Sequence, residues 1–114
     1  MTNGYAQTDR IPLDLVQEFY AGELYEYYPL GRYVVSAPGI CGGRPTFKYT
    51  RLEATMILAR LAQGETVAEL VRAYAASKLS AEAIYETIDL ASQALLQGTQ
   101  RLRSSQSQLE YADA

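Results

Sequence analysis

Apolar residues in the second half of the chain recur every three or four positions, as they do on one face of a helix. The pattern predicts a first helix that begins near Thr50 and ends near Gln63, because Thr50 and Glu53 have the spacing of a capping box. A second capping-box spacing, at Thr66 and Glu69, predicts the start of a second helix.

Ser80 has the position of a cap for a third helix, and Gly98 predicts its end. Three helices joined by short links predict a trihelical core of the helix-turn-helix type over residues 50–98. The Ser- and Gln-rich remainder, residues 99–114, is expected to be a flexible polar tail.

The first half of the chain has mixed signals. Val16, Phe19 and Tyr20 have helical spacing after Ile11, and Gly22 follows as a stop signal, which predicts an N-terminal helix after a flexible segment at 1–10. Segments 32–37 and 44–49 flank two turn signals and predict a short β-hairpin. The predicted fold is therefore mainly α: an arm of helix and hairpin over residues 11–49, followed by a homeodomain-like trihelical core.

Composition places the chain among ordinary globular domains. It has 114 residues, 48% of them apolar, and one cysteine, Cys41, which cannot form an internal disulfide. The sequence has neither a signal-peptide pattern at its start nor an apolar run long enough for a membrane span. These features predict a cytoplasmic protein that does not associate with membranes.

The formal net charge of −3 is unevenly distributed, and residues 44–79 carry an excess of cations. Clustered cations are what phosphate binding requires, so the candidate nucleic-acid contacts lie in and next to the predicted hairpin and the turn before the third helix. They are Arg44, Lys48, Arg51 and Lys78. The predicted third helix instead carries Glu82, Glu86 and Asp89, whose charge would repel phosphates, so DNA remains a disfavoured partner.

The residue inventory predicts no catalytic, cofactor-binding or metal site. The chain has no histidine that could activate Cys41 as a nucleophile or complete a zinc site. Gly42 and Gly43 before Arg44 are compatible with an anion-binding nest, but a hairpin turn is a sufficient explanation and is the interpretation that we favour. Enzymatic activity is therefore not expected.

Tyrosine is over-represented, with ten residues against two phenylalanines and no tryptophan. Tyrosine is typical of subunit contacts, because its ring is apolar and its hydroxyl tolerates water. A cluster in the first third of the chain predicts an interface for a homodimer, although the rings are also compatible with a cover over a thin core. The candidate residues are Phe19, Tyr20, Tyr25, Tyr27, Tyr28 and Tyr33.

An ordered set of short elements resembles domain-of-unknown-function family 433. The elements are Gly42-Gly43-Arg44-Pro45, Thr50-Arg51, Gly64, then Thr66 with Glu69 and Leu70, and finally Leu79-Ser80 with Glu82. The resemblance covers residues 34–97, and Tyr49 stands where the family usually has glycine. It implies a homeodomain-like helix-turn-helix fold, and for some relatives an antitoxin role in which the protein neutralises a ribonuclease toxin.

These observations lead to three functional hypotheses. The first is a small cytoplasmic regulatory or interaction protein, one version of which is the antitoxin of a toxin–antitoxin pair with a toxin protein as its partner. The second is a DNA-binding transcriptional regulator that uses the four candidate cations. The third is a structural module that keeps the fold without binding DNA.

Overall fold

The structure is a computed structural model that describes residues 14–113, with side chains for residues 14–104. Its first half is a four-stranded antiparallel sheet whose strands lie in chain order. The strands are β1 (Val16–Tyr20), β2 (Glu23–Pro29), β3 (Val34–Ser36) and β4 (Thr46–Phe47). The second half is helical, with α1 (Ala54–Ala62), α2 (Val67–Ala73) and α3 (Ala81–Asp113).

The predicted N-terminal helix is wrong, and with it the mainly α fold. Residues 11–13 lie outside the described part, and from Val16 onward the chain forms the β1–β2 hairpin instead. In its register Val16 pairs with Tyr27 and Phe19 pairs with Leu24. The loop is the two-residue turn Ala21-Gly22, in which both residues have positive φ, as hairpin turns require. Gly22 is therefore a hairpin residue, not a helix stop.

A homeodomain-like trihelical core is also not what the chain forms, because the sheet is part of the core and α3 is far longer than predicted. Val34 of β3 and Phe47 of β4 pack with Ile57 of α1, Leu70 of α2 and Ile84 of α3 in the main core cluster. A second, smaller cluster lies on the other face of β3, where Val35 and Ala37 contact two tyrosines of β2. The segments 34–36 and 46–47 do pair as the short hairpin that the sequence predicted.

The helix starts follow their predicted caps in two of three cases. Thr66 and Glu69 form a complete capping box, and the Ser80 hydroxyl accepts the backbone N–H of Ala83 at 3.1 Å. The Thr50 hydroxyl instead donates to the Phe47 carbonyl and accepts from the Leu52 N–H, so it closes the turn before α1. The predicted capping box at residues 50–53 is therefore wrong.

Helix α3 has 33 residues, and it passes through Gly98, where the sequence predicted its end. Its first turns are buried against the core through Ala83, Ile84 and Thr87. Beyond these turns Leu95 and Leu102 are 74% and 71% exposed, so the C-terminal half of α3 extends away from the core. Within residues 14–113, no helix combines the length and apolar character that a bilayer span requires.

Candidate nucleic-acid interface

An open groove of about 770 Å³ lies between the segment that joins β4 to α1 and the turn that leads into α3. One wall is formed by residues 47–51, and the other by residues 76–80 with the first turn of α3. Arg32, Tyr33 and Tyr20 complete the lining. We refer to this surface as the cationic groove.

Among the described residues, four cations and one carboxylate line the cationic groove. The cations are Arg32, Lys48, Arg51 and Lys78, and the carboxylate belongs to Glu82. Three of the four, Lys48, Arg51 and Lys78, are candidates that the sequence singled out for phosphate contact. The fold brings Lys78 to them because the turn before α3 packs beside the β4–α1 segment. Among the described side chains, Arg51 and Lys78 form no ion pair, so their charges remain available.

The fourth candidate, Arg44, lies elsewhere. Its guanidinium donates two hydrogen bonds to the Glu53 carboxylate, at 3.0 and 3.1 Å, and it does not line the cationic groove. These bonds hold the pKa of Glu53 below its ordinary value. The pair is solvent-exposed and links the chain before β4 to the start of α1.

Lys48 lies among aromatic rings. Its Nζ is 4.9 Å from the centroid of the Tyr27 ring and 5.1 Å from that of Tyr49, which are cation–π distances. The same Nζ is 4.0 Å from a carboxylate oxygen of Glu18. Contact with the Tyr27 hydroxyl is the main cause that raises the pKa of Lys48. Lys48 therefore stays charged and is held in a defined position at the groove.

Tyr49 has a backbone conformation that favours glycine, with φ of +69°. A non-glycine residue in this region costs about 1–2 kcal/mol, so other contacts must hold it there. The Tyr49 N–H donates to the Tyr25 hydroxyl at 2.9 Å, and its own hydroxyl donates to Glu18. Its ring stacks on that of Tyr20, with 4.1 Å between centroids and 8° between planes. These contacts fix the Tyr49 ring in the groove wall.

Glu18 on β1 contacts Tyr27, Lys48 and Tyr49. Its ionisation makes part of the free energy of unfolding depend on pH. Hydrogen bonds from the Tyr49 and Tyr27 hydroxyls, the first being the larger cause, lower its pKa below the ordinary value of 4.5. A carboxylate whose pKa is lowered by folding stabilises the folded state at higher pH. The loss of that stabilisation begins as the pH falls below 4.5, and it is complete once the pH is below the lowered pKa of Glu18 in the folded protein.

We expect Glu18→Gln to flatten the dependence of stability on pH in the acidic range. The variant should be less stable than the parent protein at neutral pH, and the difference should shrink as the pH falls below 4.5. Urea denaturation at a series of pH values measures this difference. Glu23→Gln, an exposed change beside the turn of the same hairpin, is the control. A difference that stays constant with pH would contradict the role of the Glu18 charge.

Glu86 of α3 positions the β2–β3 turn, which carries Arg32 and Tyr33 of the groove lining. Its carboxylate accepts the backbone N–H groups of Arg32, Tyr33 and Val34 at 2.7, 2.7 and 2.9 Å. These bonds tie the β2–β3 turn to α3 and set the position of Arg32, whose guanidinium carbon lies 5.5 Å from the Tyr33 ring centroid. The carboxylate of Glu86 is therefore engaged with backbone donors, and it is not the exposed repulsive charge that the sequence suggested.

The six aromatic candidates for a dimer interface have different environments. Tyr25 and Tyr27 are buried within the chain, at 8% and 5% exposure, so their rings complete the smaller core cluster. Phe19 is 80% exposed and Tyr20 is 46% exposed. The remaining two, Tyr28 and Tyr33, are partly buried.

The described part of the chain shows no arrangement of metal-ligating side chains. No group of three or more His, Cys, Asp or Glu residues comes together there. The Cys41 thiol is partly buried and lies 3.6 Å from the carbonyl oxygen of Arg51, which is a packing position at the turn before β4.

One protein-family model matches residues 34–91, and its description is "Protein of unknown function (DUF433)". The match spans just over half of the 114 residues. The chain belongs to the DUF433 family. The family prediction from the ordered sequence elements is thereby confirmed. Neither the comparison with curated proteins nor that with solved structures gave a match.

The segment that matches DUF433 contains most of the cationic groove but not all of it. Lys48, Tyr49, Arg51 and Lys78 lie within residues 34–91. Arg32 and Tyr20 precede the matched segment and come to the groove through the β1–β2 hairpin and the β2–β3 turn. In this DUF433 chain the β1–β2 hairpin therefore adds the Tyr20 ring to the site, and the β2–β3 turn adds the Arg32 cation together with Tyr33.

Sequence reasoning placed neither Arg32 nor Tyr20 at this groove, and it predicted Tyr20 at a dimer interface instead. Arg32 is a lone cation in a turn, and only its contact with α3 through Glu86 places it at the groove. Tyr20 was assigned to a helix, and its stacking on Tyr49 joins residues that are far apart in the chain. The local sequence around either residue carries no signal for such non-local contacts.

Proposed function

We propose that this DUF433 protein is a nucleic-acid-binding regulatory protein, and that the cationic groove contacts backbone phosphates. The observation that carries the proposal is the charge of the groove lining, which among the described residues includes four cations and one carboxylate. Clustered lysine and arginine side chains attract phosphates and release their counterions, which is the main source of sequence-independent binding. No enzymatic activity is part of the proposal.

Neutral donors beside the cations support the same interpretation. Thr50, Ser77 and Ser80 also line the groove, and hydroxyl groups are common partners of phosphate oxygens. Helix α3 begins at this wall, so the positive end of its dipole adds to the attraction for an anion. Of the acidic residues in the first turns of α3, Glu82 lines the groove, whereas Glu86 and Asp89 do not.

Charge reversal in the groove tests the proposal. We expect Arg51→Glu to weaken binding to a short labelled oligonucleotide at low salt by about tenfold or more, and to reduce the salt slope by about one. Lys48→Glu should also weaken oligonucleotide binding and reduce the salt slope. Fluorescence anisotropy at several salt concentrations measures both quantities.

A matched variant separates the groove from the overall charge of the protein. Arg103→Glu makes the same charge change on α3, about 30 Å along the helix axis from Ala83. It should leave both affinity and salt slope nearly unchanged. Equal losses in Arg51→Glu and Arg103→Glu, or no binding by the parent protein at low salt, would contradict the proposal.

A protein partner is the second candidate, and it is favoured by exposed leucines on α3 beyond its first turns. Leu95, Leu96 and Leu102 are 74%, 63% and 71% exposed. Exposed apolar side chains in such number are typical of contact surfaces. The antitoxin role implied by the family resemblance would use a partner of this kind, and a toxin gene next to the gene for this protein would support it. Homodimer formation and a cytoplasmic location also stay predictions.

A further inference from the structure

The geometry points to single-stranded nucleic acid as the ligand of the cationic groove, with one unpaired base stacked on the exposed face of Tyr20. This inference rests on the proposed function, because it assumes that the groove cations hold phosphates. It adds the class of ligand, which is single-stranded nucleic acid, and it names Tyr20 as the residue that contacts an unpaired base. A duplex does not expose such a base.

Tyr20 and Tyr49 form a ridge between two hollows. Both rings line the cationic groove, and both also line a smaller hollow of about 420 Å³ on the other side. Arg51 borders both hollows as well. A strand that runs from the groove cations into the second hollow would pass this ridge, where a base can meet an aromatic face.

The stack has one free end. Tyr49 covers one face of the Tyr20 ring at a centroid distance of 4.1 Å, nearly parallel, and Tyr20 still keeps 46% exposure. Tyr25, the other ring near Tyr20, is tilted by 52° at 6.5 Å and does not close that face. A base placed on Tyr20 would extend the stack by one ring, and every base has a π-face that suits this contact.

Backbone strain supports a ligand role for this stack. Tyr49 occupies a left-handed conformation, which costs about 1–2 kcal/mol for a non-glycine residue, and its contacts keep the ring in the wall. Strained residues of this kind concentrate at ligand sites, because the surrounding structure holds them in place for recognition. The ring of Tyr49 in turn holds Tyr20.

Duplex nucleic acid fits this surface less well. Bases in a duplex are already stacked on one another, so they cannot reach Tyr20, whereas unpaired bases stack readily on aromatic side chains. A protein that reads the major groove places a helix between the two phosphate backbones, so the exposed face of that helix should not be acidic. The outward residues of the first turns of α3 include Glu82 and Asp89, which oppose such an approach. The groove therefore favours single strands of DNA or RNA, which share the same stacking chemistry.

The test compares probes that differ only in their bases. Fluorescein-labelled oligo(dT), oligo(U), an abasic strand of the same length and a blunt duplex are titrated at low salt. We expect the parent protein to bind the single strands with bases more tightly than the abasic strand and the duplex. Tyr20→Leu should weaken binding to oligo(dT) by roughly 5- to 100-fold while leaving affinity for the abasic strand unchanged. A difference in affinity between oligo(dT) and oligo(U) shows whether the protein prefers DNA or RNA.

Two variants control for structure. Tyr20→Phe keeps the ring and should bind oligo(dT) like the parent protein. Tyr85→Leu makes the same change as Tyr20→Leu at a tyrosine that is 58% exposed on α3 and does not line the groove, so it should have no effect. Because the chain has no tryptophan, tyrosine emission is directly visible. Oligo(dT) should quench part of it in the parent protein, and less in Tyr20→Leu.

The possible failures are distinguishable. Equal, salt-dependent affinity for oligo(dT) and the abasic strand would overturn base stacking and leave phosphate binding intact. Tighter binding of the duplex than of the single strands would overturn the choice of substrate. A Tyr20→Leu variant that binds oligo(dT) like the parent protein would overturn the role of Tyr20. No binding of any probe at low salt would overturn the proposed function itself.

Discussion

Replacement of Glu86 with alanine is expected to lower the free energy of unfolding by about 3 kcal/mol, because three charge-assisted hydrogen bonds are lost together. The carboxylate accepts the N–H groups of Arg32, Tyr33 and Val34, and alanine would leave these donors without a partner. An unsatisfied donor costs more than the net gain of its bond, so the loss exceeds that of an ordinary surface change. Urea denaturation followed by circular dichroism measures it.

The control for Glu86→Ala is Asp89→Ala on the same helix. Asp89 is exposed and accepts one hydrogen bond from Gln93, four residues away, so its removal should cost less than about 0.5 kcal/mol. Glu86→Gln should be intermediate, because the amide keeps one acceptor oxygen and loses the charge. Equal stability of the Glu86→Ala and Asp89→Ala variants would show that the backbone N–H groups do not depend on Glu86.

Gly31 gives a second way to examine the same contact. A Cβ at Gly31 would lie 2.6 Å from the carboxyl carbon of Glu86, so Gly31→Ala must displace that side chain. The two substitutions should therefore be non-additive: Gly31→Ala should destabilise the parent protein more than it destabilises the Glu86→Ala variant. Additive effects would mean that the β2–β3 turn and α3 are not coupled through this carboxylate.

The second large effect is expected at Ile57, where substitution by alanine should cost about 2–5 kcal/mol. Ile57 lies on α1, has no exposed surface and packs in the main core cluster with Leu70 and Ile84. Its truncation would remove contacts that join α1 to both other helices. A domain of this size has a total stability of about 5–15 kcal/mol, so the variant should unfold at a much lower urea concentration.

The neighbouring residue supplies the control for Ile57→Ala. Met56 is on the same helix and 39% exposed, so Met56→Ala should cost much less. Ile57→Val removes a single methyl group and should cost about 0.5–1.5 kcal/mol. The order Ile57→Ala, Ile57→Val, Met56→Ala in decreasing cost is the expected result, and a Met56→Ala variant as unstable as Ile57→Ala would contradict the assigned core.

The sequence was informative where the signals were local. The capping box at Thr66 and the cap at Ser80 form as predicted, because each depends on residues three positions apart. The short hairpin of β3 and β4 could also be predicted, since turn residues lie between two segments with strand character. The family, too, could be recognised from short elements in a fixed order.

The sequence misled where one pattern suited two structures. Leu15, Val16, Phe19 and Tyr20 have helical spacing, yet the same stretch supplies strand-forming residues before a two-residue turn. Pairing with the tyrosine-rich β2 decided the outcome in favour of the strand, which a single-segment pattern cannot reveal. Gly98 was misread as a stop, because a glycine costs a helix only about 1 kcal/mol and a long helix tolerates it.

Half of the candidate site could be predicted, and the rest depends on tertiary contacts. Lys48, Arg51 and Lys78 were found from the local excess of cations, and the fold places all three at one groove. The pairing of Arg44 with Glu53 was not foreseen, because it depends on how the chain turns before β4. Arg32 and Tyr20 arrive at the groove through the β2–β3 turn and the β1–β2 hairpin, beyond the reach of local patterns.

Two residues on opposite walls of the groove, Tyr49 and Lys78, share a left-handed backbone, with φ of +69° and +59°. Glycine would relieve the steric strain of this geometry at both positions, although it loses more backbone entropy on folding. Glycine at both positions would also remove one aromatic surface and one cation together. Substitutions that stabilise the protein by relieving this backbone strain would therefore weaken ligand binding at the groove.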